Sequence, residues 1–123
     1  MTAILDFVTP PLGLAPHTRF RLDPIGGADG LFSLGATDDD GLRLYVVDPQ
    51  TVVSDYAPIL TDEHVDALGL TAPDDALLLV VASHTAEGVH VNLLAPIITN
   101  KATGATAQII LEGQDYPLRA SLR

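Results

Sequence analysis

Ala76-Leu77-Leu78-Leu79-Val80-Val81-Ala82, bounded by Asp75 and Ser83, is the longest uninterrupted apolar run of the chain. It is short for a helix and far short of the ~20 residues that cross a bilayer. A run of this length between polar neighbours reads as a strand buried on both faces. Away from it, alternation takes over. Arg19-Phe20-Arg21-Leu22 and Val89-His90-Val91-Asn92-Leu93 alternate polar and apolar side chains, as half-buried strands do. Leu42-Arg43-Leu44-Tyr45-Val46-Val47 starts that way and then turns wholly apolar. Ala107-Gln108-Ile109-Ile110-Leu111 is rich in strand formers.

Turn chemistry separates these runs. Gly26-Gly27-Ala28-Asp29-Gly30 and Asp38-Asp39-Asp40-Gly41 are loops fit to join antiparallel strands. Asn100-Lys101-Ala102-Thr103-Gly104 reverses the chain between residues 96–99 and 106–111. The nine prolines fall at the ends or edges of the apolar runs, because proline cannot donate to a central ladder. One helix is signalled. Thr61 is a good N-cap, Asp62 and Glu63 suit the positive first turn, Val65 and Leu68 share a face, and Gly69 stops it. A second single turn is expected around Pro73-Asp74-Asp75. The sum predicts a mainly β fold: a small, antiparallel, barrel-like single domain with one short helix. No repeat or linker divides residues 1–123.

Composition narrows the functions. The 123 residues are 47% hydrophobic and 18% charged, a globular balance. No cysteine is present, so disulfides, thiolate metal sites and cysteine nucleophiles are excluded. Six Lys/Arg stand against sixteen Asp/Glu, a net charge of −10. Such a surface repels phosphate and attracts basic partners, which argues against direct nucleic-acid binding. Asp6 and the lack of a basic leading segment argue against a secretory signal, and the expected location is the cytoplasm.

Catalytic patterns are weak throughout. The glycine run at residues 26–30 lacks the order of a phosphate-binding loop, and the aspartates of residues 38–40 are consecutive rather than alternate, unlike a calcium loop. His84 and His90 flank a turn and, with Glu87, stand as a weak metal option against a plain hairpin tip. None of Ser33, Ser54, Ser83 and Ser121 sits in a nucleophile elbow. No catalytic residue, metal ligand or cofactor is therefore assigned. A ligand-binding small β-barrel and a divalent-metal-dependent carboxylate enzyme remain as alternatives. Charge placement is more telling. Residues 38–75 hold ten acids and the single base Arg43. Acids at helix starts and turns are ordinary, which accounts for residues 61–63 and 73–75. Asp48 and Asp55 instead adjoin the ends of hydrophobic stretches, as a docking face for a basic protein would require.

Three ordered stretches then carry a family resemblance. Val91-Asn92-Leu93-Leu94-Ala95-Pro96-Ile97-Ile98-Thr99-Asn100 resembles the "NLxAPIxxN" signature of FliW, the flagellar assembly factor family. Gln108-Ile109-Ile110-Leu111 with Asp115-Tyr116-Pro117 resembles its "QxxL…YP" ending, and Val46-Val47-Asp48-Pro49, Asp55-Tyr56 and Leu68-Gly69 resemble its "VVDP…DY…LS…LG" middle. The chain departs from the pattern near its start, where it begins after the family's extra N-terminal strand, and at Leu31-Phe32-Ser33-Leu34, which stands in place of "LQS".

The resemblance implies a non-enzymatic regulator with a β-barrel-like fold. It implies binding to CsrA, a basic RNA-binding translational repressor, with flagellin competing for the same protein. No membrane contact is expected, and the chain is expected to be a monomer when free. Carried onto this sequence, the partner surface has Asp48, Pro49, Asp55 and Tyr56 as one part. Asn92, Ala95, Pro96 and Asn100 are either a second part or residues that shape the barrel, the asparagines by capping backbone at strand ends.

Overall fold

The computed structural model describes residues 3–11, 13–27, 30–39, 41–53, 55–111 and 113–121. Ala28, Asp29, Asp40 and Ser54, assigned above to turns or weighed as a nucleophile, lie outside them. The described elements are β1 (Ala3–Phe7), β2 (Arg19–Pro24), β3 (Leu31–Ala36), β4 (Arg43–Val47), α1 (Asp62–Leu68), β5 (Ala76–Thr85), β6 (Gly88–Val91), β7 (Ile97–Asn100), β8 (Ala105–Gln108) and β9 (Ala120–Ser121).

The long apolar strand closes the architecture. The sheet runs β4-β3-β2-β1-β8-β7-β5, and β5 returns to β4 through Tyr45↔Ala82, Val46↔Val81 and Val47↔Val80. The result is a closed barrel of seven strands. An odd ring cannot alternate direction all the way round. The expected antiparallel barrel is borne out, with one parallel seam: β1 and β8 pair Asp6↔Ala105 and Phe7↔Thr106. Beyond the ring, β5 carries the hairpin partner β6, and β9 adds to the far side of β6.

Burial of β5 on both faces holds. Leu79 and Val80 are adjacent and both 0% exposed, so they point to opposite sides. Leu79 joins Leu5, Phe20, Leu34, Val46 and Ile97 inside the barrel. Phe7 meets Phe20 edge-to-face there, with centroids 5.3 Å apart. Thr99 and Thr106, paired across β7 and β8, bury their hydroxyls against each other at 2.8 Å. These described side chains pack against one another in the interior, as the side chains of a narrow barrel do. Val80 faces outward into a second core with Tyr56, Leu68, Val91, Ile98 and Ile109. That outer core is covered by α1 and by the chain segments before α1 and after β8.

The helix obeys its signals. The Thr61 hydroxyl accepts from the His64 amide, and His64 Nδ1 accepts from the Thr61 amide, so a histidine completes the capping box. Gly69, at φ +67°, closes the helix in the left-handed conformation that glycine adopts freely. The turn at residues 73–75 is a single 3-10 turn. Two limits differ from expectation. β6 ends at Val91, and β8 covers residues 105–108 rather than 107–111. The chain after β8 stays paired, with Ile109 N–H on Pro96 O and Leu111 N–H on Leu94 O. Strands β1, β3 and β9 carry no alternation signal.

Candidate functional site

The segment after β4 is built from inside out. The Asp48 carboxylate accepts from the Gln50 amide at 2.9 Å and caps a 3-10 turn whose first residue, Pro49, is buried. Gln50 Nε2 donates to Tyr56 O, and Val53 N–H returns to Pro49 O. Tyr56 is only 3% exposed. Its hydroxyl donates to Leu93 O at 2.6 Å, and its ring meets Tyr116 edge-on at 4.8 Å. Burial, and next the neighbouring Tyr116, push the Tyr56 phenol well above its ordinary pKa.

Two side chains from the end of the chain fix residues 57–59. The Tyr116 hydroxyl accepts from the Ala57 amide. The Gln114 side chain grips Ile59 on both sides: its Oε1 accepts from Ile59 N–H at 2.8 Å and its Nε2 donates to Ile59 O at 2.9 Å. The Ile59 side chain is nevertheless 70% exposed. A large apolar group is thus held outward on a clamped backbone. Beside it Pro58, Leu60, Val65, Leu70, Ala72 and Ala76 line an apolar groove of about 440 Å³. The same elements present Asp55, Asp62, Glu63, Asp66 and Asp74 to solvent.

The second group of expected site residues forms one local excursion. β6 pairing ends at Ala82↔Val91 and β7 pairing resumes at Leu79↔Ile97, so residues 92–96 lie opposite only Val80 and Val81. Asn92 makes this bulge possible by accepting the Leu94 and Ala95 amides on Oδ1. Ala95 O is met by Gln108 Nε2, and Pro96 O by Ile109 N–H. Asn100 is buried. It donates to Leu68 O at 2.8 Å and to Gly69 O at 3.2 Å, and accepts from Ala102 N–H. It therefore ties the β7–β8 turn to the end of α1.

Of the eight expected site residues, Asp55 is exposed and Asp48 and Asn92 are half-buried. Pro49, Tyr56, Ala95, Pro96 and Asn100 are buried. The Tyr56–Leu93 bond draws the two groups together, so they form one connected support. Ile59 and Gln114 escape a reading of the sequence. The available signal for Ile59 is an apolar residue in a loop between acids; Gln114 has none. The histidine option fails on geometry. Ser83 pairs with His90 and His84 with Val89, so His84 and His90 face opposite sides of the hairpin. Among the described residues no three His, Asp or Glu side chains come together to hold a metal.

A model of the FliW protein family matches residues 1–122. This chain belongs to the FliW family. It is 32% identical over 119 residues to the flagellar assembly factor FliW of Ruminiclostridium cellulolyticum, covering 94% of this chain and 80% of that one. Against the flagellar assembly factor FliW of Clostridioides difficile the identity is 29% over 109 residues, covering 87% and 84%. A crystal structure of the flagellar assembly factor FliW superimposes with a TM-score of 0.89 at 22% identity, covering 96% of this chain and 84% of that one, which establishes the shared fold. The FliW-like stretch at residues 91–100 spans the Asn92 bulge and runs to the Asn100 turn. Its asparagines make the backbone contacts that hold both.

Proposed function

We propose that this FliW-family protein is a non-enzymatic flagellar assembly regulator, working as a monomeric single domain in the cytoplasm. It binds a CsrA-like RNA-binding repressor and weakens that repressor's hold on messenger RNA; flagellin competes and releases it. One observation carries the reading: a clamped, exposed Ile59 beside an apolar groove, with exposed acids on the segments around it. An apolar centre within an acidic surface suits a basic protein, and acids brought near an RNA-binding face repel phosphate. Asp55 makes direct contact. Asp48, Pro49, Tyr56, Asn92, Ala95, Pro96 and Asn100 act by holding the face in shape. No cofactor is needed.

The test is calorimetric titration with the CsrA-like protein of the same organism, then with its flagellin. Binding to the repressor with loss of its RNA affinity, reversed by flagellin, is the expected result. Asp55→Arg combined with Asp66→Arg weakens binding and leaves the melting temperature unchanged. Asp48 is left intact because its carboxylate caps the turn beneath the face. No binding to either protein overturns the reading.

A further inference from the structure

The outer face of the barrel opposite in charge to the acidic segment lies on β2, β3 and β4. Their registers align Arg21, Gly35 and Arg43 in one row, Arg21↔Gly35 and Gly35↔Arg43. All three point outward, since Phe20, Leu22 and Leu34 fill the interior. Adjacent strands lie ~4.8 Å apart, so the two arginine Cα atoms stand about 10 Å apart with a bare backbone floor between them. Three of the six basic residues, Arg19, Arg21 and Arg43, sit on the outside of β2 and β4 in a chain with sixteen acids.

Neither backbone conformation nor crowding requires a glycine at position 35. It is not among the glycines with positive φ. A Cβ there would meet nothing nearer than Leu42 O at 4.0 Å. Pairing runs through it without a bulge. Glycine inside a strand weakens it, and one role left for such a residue is to admit a ligand close to the backbone. The space it leaves is a cleft of about 210 Å³, lined by Arg21, Asp23, Ser33, Gly35, Thr37 and Arg43.

The charges select the ligand. Asp23 Oδ2 accepts from Arg21 Nε at 2.9 Å, and Arg19 is engaged by Asp6 at 3.0 Å. Arg43 has no ion-pair partner among the described residues. Among the described residues that line it, two arginines therefore stand against one aspartate. A monoanion matches that; a phosphate dianion would face Asp23 with charge uncompensated. The volume admits a side chain rather than a cofactor. Tyr45, 48% exposed, and Ile4, 41% exposed, stand on the same outer face and offer apolar contact to the chain on either side of the anion.

We propose that the Arg21–Gly35–Arg43 cleft receives the carboxylate of a Glu or Asp side chain from an acidic segment of a protein partner. This is a second docking site, of opposite sign to the acidic face, and it stands whether or not that face binds a repressor.

The experiment is an NMR titration of the full chain with four probes: the blocked peptides Ac-Tyr-Glu-Ala-NH2 and Ac-Tyr-Gln-Ala-NH2, sodium acetate, and inorganic phosphate. The Glu peptide is expected to give saturable shifts at the Gly35 amide and the Arg21 and Arg43 Nε–H groups. Charge-assisted, bidentate contact predicts binding about tenfold weaker for the Gln peptide and for Arg43→Gln. Gly35→Val, which fills the cleft with a good strand former, abolishes the shifts, with strand amides elsewhere reporting an intact fold. Absent or non-saturable shifts, or equal binding of the Gln peptide, overturn the proposal. Acetate as tight as the Glu peptide would assign the cleft to free small acids instead, and phosphate tighter than both would refute the monoanion class.

Discussion

The Tyr56 hydroxyl donates to the Leu93 carbonyl at 2.6 Å, joining residues 37 apart in sequence at the centre of the outer core. This bond couples the segment that presents Ile59 to the bulge at residues 92–96. Its removal leaves a buried carbonyl without its partner, so Tyr56→Phe is expected to lower stability by about 1–3 kcal/mol in urea unfolding. Burial and Tyr116 raise the folded-state pKa, and this fixes the sign of the pH dependence. An unfolded phenol ionises near pH 10, about where free tyrosine does, while the folded one keeps its proton. The Tyr56 contribution is thus whole below pH ~10 and is lost as pH rises from there through the folded-state value. Melting curves of the wild type should fall more steeply in that alkaline window than those of Tyr56→Phe. Parallel curves would separate the phenol from alkaline unfolding.

Asp75 governs the opposite end of the pH scale. Its Oδ2 accepts from the Thr71 hydroxyl at 2.6 Å, the Thr71 amide at 3.1 Å and the Ala72 amide at 3.0 Å. The Thr71 hydroxyl, first among these, holds the carboxyl below its ordinary pKa of 3.8. A lowered acid contributes stability above the unfolded value and loses it as pH falls through the folded one. Asp75→Asn should therefore melt lower than wild type at pH 7, with the gap closing below pH 3.8. A constant gap down to the acid transition would mean the carboxylate charge is not what holds this turn.

Asn100 tests whether the FliW-like asparagines work through backbone. The Asn100 amide donates to Leu68 O and Gly69 O, so an isosteric acid cannot replace it. Asn100→Asp and Asn100→Ala are both expected to cost about 1–3 kcal/mol. Both should also speed amide hydrogen exchange in α1. An Asn100→Asp variant as stable as wild type would show that the donor is dispensable.

Much of this fold was legible because local signals and burial agreed. The run around Leu79 and Val80 could only be a strand covered twice, and Thr61 and Gly69 marked the helix because caps act within a few residues. Strands β1 and β3 were hidden for the converse reason. Ile4 is apolar yet points outward at 41% exposure, and Gly35 is a poor strand former at a central position. At the candidate site, depth was not legible. Asp55-Tyr56 beside Pro58 has the look of an exposed loop, yet Tyr56 is buried because its partner, Leu93, arrives from a distant segment. Ile59 is outside for the same kind of reason: Gln114, 55 residues away, fixes its backbone.

Under the proposed function, the acidic face and its apolar centre should separate kinetically in binding the repressor. Steering by Asp55, Asp62 and Asp66 acts through solvent, where the Debye length shrinks from ~30 Å at 0.01 M salt to ~8 Å at 0.15 M. The association rate for the CsrA-like protein is therefore expected to fall severalfold over that range, with a smaller change in the dissociation rate. Under the same proposal, Ile59 supplies contact rather than long-range attraction. Ile59→Ser should raise the dissociation rate by about tenfold, leave association nearly unchanged, and leave melting unchanged because the side chain is 70% exposed. Stopped-flow fluorescence reads both rates. An association rate indifferent to salt would remove steering from the account, and an Ile59→Ser protein that dissociates like wild type would move the apolar contact off this face.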